Sequence, residues 1–129
     1  MRLNLGGVIL VFTGGGLGAL TRWLLSEYVQ EKIHGEYPWG TITVNLVGSF
    51  LLGFIMGAAL NYGAFTREER LFLATGFAGS FTTFSTFEYE TLRLTIYSPR
   101  ISIINAVMQV IIGLVLVYLG YVVAGVVYR

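Results

Sequence analysis

Residues 3–21, 37–66, 71–87 and 101–128 contain no Lys, Arg, Asp or Glu. A helix of about 20 apolar residues crosses a hydrocarbon core of about 30 Å, and the shortest stretch reaches that length once charged side chains at its ends snorkel. With 55% hydrophobic and 12% charged residues, the composition lies far from that of a soluble domain. The chain therefore reads as an all-α membrane protein. A single four-helix transmembrane domain over residues 1–129 is expected, with spans at about 4–28, 39–62, 67–97 and 100–127. These spans leave no room for a soluble catalytic domain, so an enzyme is not expected. The first apolar run follows Arg2 like a signal peptide, but it is glycine-rich and lacks a convincing cleavage site, so it reads as retained. The chain has no cysteine, which excludes disulfides and thiolate metal sites. A net charge of +1 points to no nucleic-acid partner.

The connections are short and carry local signals. Tyr37 and Trp39 sit where aromatic residues favour the membrane interface, around Pro38. Thr66 and Glu69 have the spacing of a capping box, and Pro99 suits the first turn of the last helix. His34 is a lone loop histidine and reads as solvated. With four spans, Arg2, Arg67, Arg70 and Arg129 fall on one side, against Lys32, Arg93 and Arg100 on the other. Since the Lys and Arg excess in short loops sets topology, four against three gives little reason to insert one way. Insertion in both orientations follows, and with it an inverted homodimer about a two-fold axis in the membrane plane. One or two charges fixing a single orientation is the competing reading.

Helices in lipid associate through small residues and interhelical hydrogen bonds. Gly14 and Gly18 offer such a seam in the first span, and Asn45, Ser49, Gly53 and Gly57 share one face of the second. Asn45 stands apart, because an amide within a span must find partners or line water. Arg22, near the end of the first span, either anchors its helix by snorkelling or faces an aqueous vestibule.

The stretch "GSFTTFSTFEYE", residues 79–90, places five serine and threonine hydroxyls and three phenylalanines where a span should pass. Gly76 and Gly79 followed by Ser-Phe-Thr-Thr form a poor helix. A third helix broken near mid-membrane, at about 79–82, is expected. Such irregular backbone is tolerated only when buried in protein or lining a cavity, and it exposes carbonyls and amides to ions. Beyond the break Phe84 and Phe87 share a face that Glu90 continues, with Ser85 and Thr86 on neighbouring faces. Phenylalanines in a span are ordinarily lipid-facing filler. Here the rings alternate with hydroxyls, and positive ring edges beside amide and hydroxyl donors could solvate a small anion. No nucleophile and base stand together.

"GGGLGALTRW", "NLVGSFLLG" and above all "TGFAGSFTTFSTFEYE" resemble the Fluc (CrcB-type) fluoride ion channel family, over essentially the whole chain. That resemblance implies a multi-pass protein of the plasma (inner) membrane. It further implies a dual-topology homodimer with two antiparallel pores, and a structural sodium ion at the dimer axis held by backbone carbonyls. Carried over, it makes Phe84 and Phe87 the pore phenylalanines and Asn45 the amide donor beside them. Gly79 and Thr82 would supply the sodium-binding carbonyls. Ser85, Thr86 and Glu90 would form a polar track and Arg22 part of the vestibule. In the fourth span the family's tyrosine and serines are replaced by Asn105, Gln109 and Gly113, and both amides can donate to an anion. The implied function is passive export of cytoplasmic fluoride, from which lipid and fluoride follow as partners. The alternative is a small multidrug-type dual-topology exporter. Such exporters couple to protons through a first-span carboxylate, and residues 3–21 contain none.

Overall fold

A computed structural model describes residues 4–128, all of whose regular structure is helical. Arg2 and Arg129, counted above for orientation, lie outside these residues. Helix α1 (Leu5–Lys32) is capped by Asn4, whose side chain accepts from the Gly7 N–H at 2.7 Å. Thr13 and Thr21 return their hydroxyls to the carbonyls of Ile9 and Leu17 at 2.8 and 2.7 Å, so neither presents an unpaired donor to lipid. The turn after α1 is held by Gln30, which donates to the carbonyls of Gly35 and Tyr37 and accepts from the Gly40 N–H. Helix α2 (Trp39–Tyr62) ends where Gly63 turns left-handed at φ 61°.

Helix α3 covers residues 67–81. It opens on the Thr66–Glu69 capping box anticipated from spacing, widens to π-type turns over Leu71–Ala78, and closes with Gly79–Phe81. Helix α4 (Phe84–Tyr97) and helix α5 (Pro99–Val127) follow, with Pro99 in the first turn of α5. Three helices, α1, α2 and α5, are each long and apolar enough to cross a membrane.

The stretch expected as one broken span is thus two shorter helices, parted by extended backbone at Thr82 (φ −91°, ψ 160°) and Thr83 (φ −147°, ψ 114°). The expected break at 79–82 overlaps this only at Thr82. Gly79 and Ser80 stay helical because neither forbids the conformation. The chain opens at the β-branched pair, which strains a helix more than it does extended backbone.

Small residues set how the helices meet. Gly14 and Gly18 let α1 lie directly on the Phe72 and Phe77 carbonyls of α3. Gly53 and Gly57 of α2 face Val117 and Tyr121 of α5, and Gly120 faces Phe50. Both pairings advance together in sequence, so α1 runs parallel to α3 and α2 parallel to α5. Helix α4 instead runs antiparallel to α2, since Thr41 meets Glu90 and Asn45 meets Thr83. Gly48 takes the Thr82 methyl, and a Cβ there would also lie 3.1 Å from the buried Phe81 ring. Gly48→Val is expected to destabilise the fold by about 1–3 kcal/mol, the usual cost of overpacking. Equal thermal melting of the variant and the parent in detergent would count against this contact.

Candidate functional site

The two threonines that interrupt α3 and α4 are gripped by one side chain from α2. Asn45 Oδ1 accepts from the Thr83 N–H at 2.8 Å, and its Nδ2 donates to the Thr83 carbonyl at 3.1 Å. An unbroken helix would send the Thr83 N–H back to the Gly79 carbonyl. Asn45 takes that donor instead. Thr83 also starts α4 as its N-cap, its hydroxyl oxygen accepting from the Thr86 N–H at 3.3 Å.

Around this grip lies a groove of about 350 Å³, with Asn45, Thr82, Thr83, Phe84, Phe87 and Gln109 on its walls. Its remaining lining is small or apolar, from Gly48 and Ser49 on α2 to Val110, Leu114 and Val117 on α5. The Phe84 and Phe87 rings stand 5.6 Å apart at 47°, one mostly exposed and the other 8% exposed.

From Asn45 a continuous hydrogen-bonded chain leads away along α5. Asn45 Nδ2 donates to Gln109 Oε1 at 3.2 Å, and Gln109 Nε2 donates to Asn105 Oδ1 at 3.1 Å. Asn105 Nδ2 donates to the Thr91 hydroxyl of α4 at 2.8 Å. Ser102 then donates to the Thr91 carbonyl at 2.7 Å and accepts from Thr95 at 2.8 Å. Asn105 is fully buried and Gln109 nearly so. Two buried amides are tolerable only because each is bonded at both ends.

Of the residues singled out from sequence, Asn45, Thr82, Phe84, Phe87 and Gln109 thus line one groove. Asn105 lies behind Gln109, in contact with it. Ser85 and Thr86 follow on α4 without lining the groove. Glu90, two turns further along, accepts from the Thr41 hydroxyl at 2.9 Å and opens into a second pocket, of about 250 Å³, with Gln30, Glu36 and Arg93. Glu90 Oε2 and Arg22 Nε are buried atoms without a hydrogen-bond partner among the described residues. Gly79 is exposed, one turn before the break. Thr41, Gly48, Thr91 and Ser102 were not singled out, yet a signal for two of them was present. Thr41 extends the Asn45, Ser49, Gly53, Gly57 spacing by one turn, and Ser102 precedes Asn105 and Gln109 on one face.

A family model described as CrcB-like protein, Camphor Resistance (CrcB), matches residues 9–121. The chain belongs to this family. Among curated relatives, the fluoride-specific ion channel FluC of one Thermus thermophilus strain is 43% identical over 115 residues, 88% of this chain and 89% of the relative. The proteins of the same name from Pyrococcus abyssi and Clostridium novyi are 38% and 39% identical, over 95% and 93% of this chain and 98% and 94% of theirs. The CrcB-like match takes in all the site residues named in this subsection, from Arg22 to Val117. The family is one of ion channels rather than enzymes, and this CrcB-like chain is a multi-pass membrane protein.

Proposed function

We propose that the chain conducts fluoride selectively and passively out of the cytoplasm, with Phe84 and Phe87 flanking the ion's path. The observation that carries this is the groove itself, where two phenylalanine rings meet amide groups at a helix break. The names of relatives at about 40% identity support the choice of ion. Fluoride must shed a tight water shell, so a narrow passage has to replace it with ring edges and donors that bind firmly enough to admit and weakly enough to release. The amide side chains of Asn45, Gln109 and Asn105 and the hydroxyls of Ser85 and Thr86 are the polar groups along this side of α2, α4 and α5. Glu90 and Arg22 belong to the approaches. The multidrug-type exporter has little in its favour, since α1 carries no acidic residue before Glu27.

Helices α3 and α4 together make the fourth crossing. Helix α3 lies parallel to α1 and α4 antiparallel to α2, so the two pieces run in one direction as an interrupted span would. An inverted second copy completes the path, covering the apolar wall of Val110, Leu114 and Val117. The nearly equal distribution of basic residues supports both orientations.

A structural sodium ion fits the break. The Gly79 carbonyl has lost its helical donor to Asn45, and Thr82 presents its carbonyl from extended backbone. No cluster of three acidic, His or Cys side chains exists among the described residues, so main-chain oxygens favour a monovalent hard cation. Gly79 and Thr82 of both copies would hold it at the dimer axis and steady the two breaks.

Liposomes holding the purified protein test the function. Fluoride is expected to leave while chloride is retained; equal passage of both halides would refute selectivity. Orientation has its own test, because the chain has no cysteine. A single cysteine placed after Arg129 is expected to label partly from outside cells and fully after permeabilisation. Labelling confined to one side would exclude the inverted pair.

A further inference from the structure

We infer that the anion's side-chain hydrogen-bond donor in the groove is Gln109, and that Asn45 positions it rather than donating itself. This rests on the fluoride-channel reading and names the contact within it. Five side chains on the groove wall carry N–H or O–H donors: Asn45, Ser49, Thr82, Thr83 and Gln109. Ser49 gives its hydrogen to the Asn45 carbonyl at 2.8 Å, Thr82 to the Ala78 carbonyl at 3.3 Å, and Thr83 to the Thr86 hydroxyl at 2.9 Å. Asn45 has two hydrogens and both are used, one on the Thr83 carbonyl and one on Gln109 Oε1. Gln109 Nε2 also has two. One goes to Asn105 Oδ1, and the other has no partner among the described residues.

The direction of each amide follows from chemistry. The Thr83 N–H requires an oxygen and the Thr83 carbonyl requires an N–H, so the Asn45 amide has one orientation. Its outward N–H then fixes Gln109 with oxygen toward Asn45 and nitrogen toward Asn105. The string is polarised from its pinned end, and such bonds strengthen one another. Spending Asn45 on an anion would cost Thr83 or Gln109 a partner in a half-buried setting. Spending the second Gln109 N–H costs nothing already made. It lines the same groove as Phe84 and Phe87, so an anion held by ring edges there meets a fixed, neutral donor.

The chain has two glutamines, Gln30 and Gln109. With glutamine and asparagine side chains labelled with nitrogen-15, the two glutamines therefore give two amide proton pairs, which Gln30→Met assigns, and Asn45→Asp identifies the Asn45 pair among the asparagines. In the purified full-length protein, sodium fluoride is expected to shift one Gln109 proton saturably, with its geminal partner moving much less. Sodium chloride should move neither. In liposomes, Gln109→Met should slow fluoride efflux roughly ten- to hundredfold, the worth of one hydrogen bond to a charged group. A fluoride-dependent shift on the Asn45 amide with Gln109 static overturns the inference, as does efflux through a folded Gln109→Met equal to the parent's. A parent protein that passes no fluoride overturns the channel reading itself, and this inference with it.

Discussion

Fluoride efflux through Phe84→Ile or Phe87→Ile is expected to fall by about one to two orders of magnitude, while the protein still folds and elutes as the parent does. Isoleucine fills much of the space of a phenyl ring but has no quadrupole, so it removes the positive edge and keeps a hydrophobic wall. Each ~1.4 kcal/mol lost from the ion's stabilisation at its barrier is a tenfold loss of rate. The two rings differ in setting. Phe87 is 8% exposed and Phe84 68% exposed, so Phe87→Ile carries the greater packing loss and Phe84→Ile is the cleaner test of the edge. Efflux measured by fluoride electrode, with gel filtration alongside, checks both. Parent-like rates in both variants would remove the phenylalanines from the ion's path.

Asn45→Leu should both stop conduction and lower stability. The leucine leaves the Thr83 N–H and carbonyl, both half-buried, unpaired at the break, at up to about 1–3 kcal/mol each, and orphans Gln109 Oε1. Asn45→Asp keeps an acceptor for the Thr83 N–H but has no donor for the Thr83 carbonyl or for Gln109. Gln109 is then free to turn its nitrogen toward residue 45, which reverses the string and withdraws the groove's donor. The aspartate variant should therefore melt closer to the parent than the leucine variant and yet conduct poorly. Thermal melts and efflux on the same preparations decide it. A leucine variant as stable and as conductive as the parent would mean that the break does not depend on Asn45.

Much of this was legible in the sequence because lipid imposes strict rules on the chain. Uncharged runs mark α1, α2 and α5, and small residues at four-residue spacing mark the seams that α2 presents to α5. A break was legible from glycines and hydroxyls, yet it falls later, at Thr82 and Thr83, because a long-range partner joins the β-branched pair in fixing its position. Asn45 is 38 residues from Thr83 in sequence. Nothing in the local string "GSFTTF" records that the Thr83 N–H will be taken from outside. The polar string Asn45–Gln109–Asn105–Thr91 was hidden for the same reason. Its members were individually visible as polar residues in apolar runs. Their order and direction depend on α2 and α5 lying parallel, which the glycines permit but do not announce.

Fluoride is expected to move through the protein down its electrochemical gradient, uncoupled and unaccompanied. The most direct measurement loads sealed liposomes with potassium fluoride at neutral pH, dilutes them into fluoride-free buffer, and follows external fluoride before and after valinomycin. Passive conduction of the bare ion predicts almost no release until valinomycin lets potassium follow, then rapid release that an imposed pH gradient leaves unchanged. Rapid release without valinomycin that accelerates with a proton gradient would rule out passive conduction and point to a coupled exporter.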